Sequence, residues 1–117
     1  MWISVKTNQD TAKGDVLSFD SVSQKWTRAN TLSTPMGVAK EDARLSEDET
    51  YYYVPMQMQG QIEAKSSRII PNEGGEMNVE NGAVYVDNDA NHEGIICPNF
   101  IDAAQRQAGE LITIVIR

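Results

Sequence analysis

Short runs of alternating apolar and polar residues, rich in β-branched and aromatic side chains and cut off by Gly, Asn, Asp or Pro, recur along this chain at fairly even intervals. A strand points successive side chains to opposite faces, so such runs fold as half-buried strands; a helix would need its apolar residues three and four apart. The pattern predicts an all-β chain, mainly strand with at most one short helix, built as a small β-barrel or sandwich with an N-terminal arm.

The runs can be followed in order. Trp2 to Thr7 sets Ile3 and Val5 against Ser4 and Lys6, and Gly14-Asp15 opens Val16 to Phe19. DSVSQKW at 20–26 reads as a hairpin tip returning through Trp26, Thr27 and Arg28, and Gly37 to Ala39 forms a short piece after Pro35. Residues 40–50 are strongly charged, and Ser46 and Glu49 stand at capping-box spacing by coincidence. The β-type run from Thr50 to Met58 contains Pro55, which cannot donate to a ladder and predicts an edge, a bulge or a break between two strands.

Further on, Ile62 and Ala64 alternate with Gln61, Glu63 and Lys65, as antiparallel pairing over a core requires. Asn81-Gly82, between Met77–Val79 and Ala83–Val86, is the strongest hairpin signal, because both residues tolerate the positive φ of a type I′ turn. Residues 102–108 predict one or two helical turns, with Asp102 at the N-cap and Gly109 past the end. The final strand sets Leu111, Thr113 and Val115 against Ile112, Ile114 and Ile116; apolar on nearly both sides, it is expected at the centre of a barrel or under another subunit.

A chain of 117 residues holds one core, so residues 1–13 are expected as an N-terminal arm or strand and 14–117 as a single β-rich domain. Asp and Glu outnumber Lys and Arg 17 to 10. Nucleic acid and anionic membranes are bound chiefly by Lys and Arg, and so neither is an expected partner. No run approaches the roughly 20 apolar residues of a spanning helix, and Lys6, Asn8, Gln9 and Asp10 arrive too early for a secretory signal, which predicts a cytoplasmic product.

Catalysis finds little material. His92 is the single histidine, within a turn-like Asn- and Asp-rich segment, and Cys97 reads as a small buried residue rather than a nucleophile. Asp87, Asp89, Asn91 and Glu93 alternate like the first half of a calcium loop, but its sixth position is His92 and its twelfth is Pro98, so a solvated turn is the expectation. No phosphate-binding glycine motif occurs, and Glu41, Asp42 and Glu47 to Glu49 lie in charged stretches with no apolar setting to shift a pKa. No catalytic residue, metal, cofactor or small-molecule ligand is predicted.

Binding has better candidates. Three consecutive tyrosines in a strand cannot all face inward, so Tyr52 should point opposite to Tyr51 and Tyr53. Trp2 and its neighbours Ile3 and Val5 offer an alternating segment able to add to an exposed sheet edge. Trp2, Ile3, Val5, Tyr51, Tyr52 and Tyr53 are therefore the predicted partner-binding residues.

Taken in order, Gly14-Asp15-Val16, Trp26 with Ala29, Met36-Gly37-Val38-Ala39, Gly82 to Val86 and Ala108-Gly109-Glu110-Leu111-Ile112 span most of the chain. This arrangement resembles the small β-rich virion proteins of tailed bacteriophages, most of all those that decorate the head. The resemblance implies a non-enzymatic, commonly trimeric protein that binds the major capsid protein on the outer capsid surface of the virion and stabilises capsid joints. The alternative is a fibre or tail module that binds a carbohydrate or receptor, with Tyr51 to Tyr53 as its stacking surface.

Overall fold

The computed structural model describes residues 2–31, 36–71, 74–87, 95–98 and 107–116. Among them every regular element is a strand: β1 (Trp2–Thr7), β2 (Val16–Asp20), β3 (Lys25–Arg28), β4 (Met36–Ala39), β5 (Arg44–Leu45), β6 (Tyr52–Gln57), β7 (Gly60–Lys65), β8 (Gly74–Glu80), β9 (Ala83–Val86), β10 (Ile95–Pro98) and β11 (Leu111–Ile116). The fold is all-β. Residues 102–106 of the expected helix, together with His92, Asp89, Asn91 and Glu93, lie outside the described residues.

The first sheet runs β1-β3-β2-β4-β6-β5 and closes on itself, because β1 also pairs with β6. The second runs β7-β11-β10-β8-β9, and it curls until Ser66, just past β7, bridges Val84 of β9. Closure and curling both follow from strand twist and leave few unpaired edges. The molecule measures 46 × 24 × 23 Å.

Alternation along β2 and β4 builds two cores at once. Leu17 and Ala39 point into the closed barrel with Val5, Val54 and Met56, and Trp26 and Met58 pack against them. Val16 and Val38, one position earlier, point outward into a larger core with Ala64, Met77, Val79, Val84, Ile95, Ile112, Ile114 and Ile116. In β11, Ile112, Ile114 and Ile116 are buried while Leu111, Thr113 and Val115 are half-buried, and β11 is central, flanked by β7 and β10.

Polar contacts join the sheets where the second core begins. The carboxylate of Asp15, 2% exposed, accepts from Arg28 Nε at 3.1 Å, Lys65 Nζ at 3.1 Å and the backbone N–H of Ala12 at 2.8 Å. Burial pushes the Arg28 guanidinium pKa down, but Asp15 and then Asp10 outweigh it and leave the pKa raised. Beside them the β8–β9 turn presses against the first sheet: Gly82 N–H donates to Ala29 O at 2.8 Å, and Val16 N–H donates to Gly82 O at 2.8 Å. Asn81 and Gly82 have φ of 47° and 78°, as the hairpin motif requires, and a Cβ on Gly82 would lie 2.8 Å from Arg28 Cγ.

Trp2–Thr7, expected as an arm or strand, is a strand with six residues matched to β6 from Trp2↔Gln57 to Thr7↔Tyr52. One detail departs from the sequence reading. Strand β6 runs unbroken through Pro55 and has neighbours on both sides; on one side its partner changes from β5, at Tyr52 and Tyr53, to β4, at Met56 and Gln57. Pro55 falls in that handover, where its missing N–H breaks no ladder pair, and its carbonyl accepts from Lys40 N–H at 2.8 Å. Gly74 and Gly75 begin β8, which pairs through them with Pro98 and Cys97.

Candidate functional site

Register fixes what the outside of the closed barrel displays. Val5, Val54 and Met56 face inward, so the alternate residues of β1 and β6 face outward: Trp2, Ser4 and Lys6, and beside them Gln57, Pro55 and Tyr53. On the far side of β6, Lys40 bonds to the backbone of Pro55 and Arg44 pairs with Tyr53. The outer face thus carries one row of Ser4, Pro55 and Lys40 and another of Lys6, Tyr53 and Arg44.

The aromatic rings on this face are held by cations and by one another. Lys6 Nζ stands 4.9 Å from the centroid of Tyr51, Lys40 Nζ stands 5.6 Å from that of Trp2, and Tyr51 meets Tyr53 edge to face at 6.3 Å. Between the strands a groove of about 350 Å³ is lined by Ser4, Val5, Lys6, Tyr51 and Tyr53. A second, of about 310 Å³, opens where the two sheets meet, with Lys13, Lys40, Gln57, Gln61 and Thr113 among its walls. Lys40 and the Trp2–Gln57 pair connect the two.

The tight turn after β5 ends the strip. Asp48 accepts from Ser46 Oγ at 2.7 Å, Thr50 Oγ1 at 2.7 Å and Thr50 N–H at 3.2 Å, and Glu49 takes a φ of 59°. The bond from Ser46, then those from Thr50, holds the Asp48 carboxyl below the usual carboxylate range. Ser46 and Glu49 therefore belong to a turn and not to a helix cap.

Tyr51 and Tyr53 meet on the outer face, Trp2 shares that face four residues further along opposite Gln57, and Tyr52 alternates to the other side as expected. Val5 is buried in the barrel and offers a partner only backbone. Ile3 shares Val5's inward direction but sits where the barrel opens, 40% exposed, and Trp2 is 56% exposed. At the same end lie Phe19, edge-on to Trp26 at 5.8 Å, and Val22, on the β2–β3 turn that Asp20 caps through Ser23 Oγ and Val22 N–H.

The edge of β1 that faces away from β6 meets β3 only at Thr7↔Trp26. Trp2, Ile3, Ser4, Val5 and Lys6 have no strand partner there among the described residues. Sequence reasoning missed Lys6, Lys40 and Arg44. Lys6 was readable, since it alternates in step with Trp2, but Lys40 and Arg44 reach the face through pairings that no local pattern encodes.

Cys97 is buried, in agreement with its sequence reading. Among the described residues no group of three or more His, Cys, Asp or Glu could hold a metal, and no helix is long and apolar enough to cross a membrane. Compared with known proteins, the chain matches no family model, no curated protein and no solved structure.

Proposed function

We propose that this chain is a non-catalytic attachment protein that docks on a larger protein shell through the open edge of β1, and that the shell is the outer surface of a bacteriophage head. One observation carries the reading: among the described residues, Trp2 to Lys6 have no strand partner on the edge away from β6, and the exposed Trp2 and Ile3 flank that edge. A strand from the major capsid protein would pair with that edge, its main chain supplying affinity and its alternate side chains covering Ile3 on one face and Trp2 on the other. Apolar burial at roughly 25 cal/mol per Å² would add to the pairing.

The head is chosen from the ordered motifs in the sequence. Several fall at turns of this fold: Gly14 and Gly109, each with φ of 90°, precede β2 and β11, and Gly82 precedes β9. Trimer formation belongs to the same proposal. It would repeat the edge three times around an axis and let one particle span several capsid subunits.

Co-sedimentation with empty phage heads tests the reading, with light scattering to give the molar mass of the free protein. A trimer that pellets with heads, while Ile3→Lys stays in the supernatant, is the expected result, since a lysine on a strand edge opposes further pairing. Wild-type protein that never pellets, or Ile3→Lys that pellets as well, removes the proposal.

A further inference from the structure

We infer that the outer face of β1, β6 and β5 is a binding site for an acidic oligosaccharide. This site uses side chains on the sheet face, whereas shell attachment uses the backbone edge of β1; Trp2 is common to both, so the variants that tell them apart lie at other positions.

The first argument is charge. The chain carries a net charge of -7, yet Lys6, Lys40 and Arg44 stand on adjoining rows of one face, with Lys13 beside Lys40 in the neighbouring groove. Glu41 lies 3.4 Å from Arg44 with both side chains largely in water, a contact that holds neither firmly, and Asp42 and Glu63 border Lys13 and Lys40 in the adjoining grooves without a salt bridge to either. Cations gathered on an otherwise acidic surface suit a ligand with several separated anionic groups.

The second argument is the kind of surface between the charges. Trp2, Tyr51 and Tyr53 supply ring faces and hydroxyls, Ser4 and Thr113 further hydroxyls, and Gln61 an amide. A sugar presents apolar ring faces edged with hydroxyls and is matched by aromatic planes bordered with such groups. From Tyr51 to Gln57 the strip runs about 20 Å at ~3.3 Å per residue, room for several linked sugars.

The third argument separates a saccharide from an acidic peptide. Backbone groups on this face are already engaged, with β6 paired to β1 on one side and to β5 and β4 on the other. An extended peptide laid across the face would leave its own main-chain groups without ladder partners, a cost that a saccharide does not meet. The protein's acidity likewise opposes a polynucleotide, whose charge is far denser.

Titration calorimetry on the full chain would use a hexamer of galacturonic acid, a sulfated uronate hexamer, a neutral glucose hexamer and a glutamate hexapeptide. Saturable binding of at least one acidic saccharide is expected, at least tenfold tighter than the neutral sugar and the peptide and weakened by added salt. Lys6→Gln with Lys40→Gln should weaken it at least tenfold, and Tyr53→Ala likewise. Cooperative thermal unfolding of the lysine-pair and Tyr53→Ala variants, close to that of wild type, guards against loss of fold as the cause. Ile3→Lys should bind no more weakly than wild type. No binding of either acidic saccharide, equal binding of the glutamate peptide, or indifference to the lysine pair overturns the inference.

Discussion

Lys65 of the second sheet places its Nζ 3.1 Å from Oδ1 of Asp15 in the first, across 50 positions of sequence. Arg28 reaches the other oxygen of the same carboxylate, so one buried acid holds two cations from different sheets. Asp15→Ala should destabilise the chain by about 2–3 kcal/mol, the usual range for losing charged hydrogen bonds at a buried site, because both cations keep some access to water. Urea unfolding would measure it; a loss under about 0.5 kcal/mol would show that the carboxylate is dispensable.

Gly82→Ala should be costly for two reasons that add. The φ of 78° is strained for any residue with a Cβ, by roughly 1–2 kcal/mol, and the new methyl would meet Arg28 Cγ at 2.8 Å. A decrease of about 2 kcal/mol or more in unfolding free energy is expected. Asn81→Gly in the same turn, where no contact is forced, serves as the control and should stay within about 1 kcal/mol.

Removing residues 2–7 should unfold the closed barrel. A free N-terminal arm could be removed without unfolding the rest, but Val5 and Thr7 are buried and the strand pairs with β6 along its length. Burial of Val5 alone is worth roughly 1.5–3 kcal/mol, a large part of a small domain's reserve. Loss of cooperative thermal unfolding is the expected readout, and a truncated chain melting like wild type would refute it. Shell attachment is therefore better tested by Ile3→Lys than by truncation.

The turn at Asp48 should weaken in acid. Its carboxyl titrates below its ordinary range because Ser46 and Thr50 donate to the ionised form. A depressed folded-state pKa gives stability that is complete above the unfolded-state value and is lost as pH falls through the folded one. Protection of the Thr50 amide, its exchange measured against the intrinsic rate at each pH, should fall over that acid window and stay flat from neutral pH down to the ordinary carboxylate range. Asp48→Asn should exchange faster at neutral pH and lose the acid dependence; a variant that keeps it would locate the titration elsewhere.

Much of the fold could be read locally, because a two-residue period states which side chains share a face. Ile112, Ile114 and Ile116 were assigned one face and are buried together; Tyr52 was set apart from Tyr51 and Tyr53; Asn81-Gly82 closes its hairpin. Pairing between distant segments left no such trace. Arg44–Leu45 sits in a charged stretch and is a strand only because Tyr52 and Tyr53 are there to pair with it. Ile95–Pro98 takes its place from β8 and β11 on either side. The cationic half of the outer face was hidden for the same reason, since Lys40 and Arg44 reach it through β4 and β5.

At the start of strand β2, Val16 enters one core and Leu17 the other, so neither side of that first pair faces water. A slip of one residue in an ordinary surface strand exchanges a wet face for a dry one. Here the same slip would swap two sets of packed side chains of different size, misfilling the barrel and the neighbouring core together. The party wall between the sheets thereby proofreads both, and a single inserted residue near Val16 would disturb both cores at once.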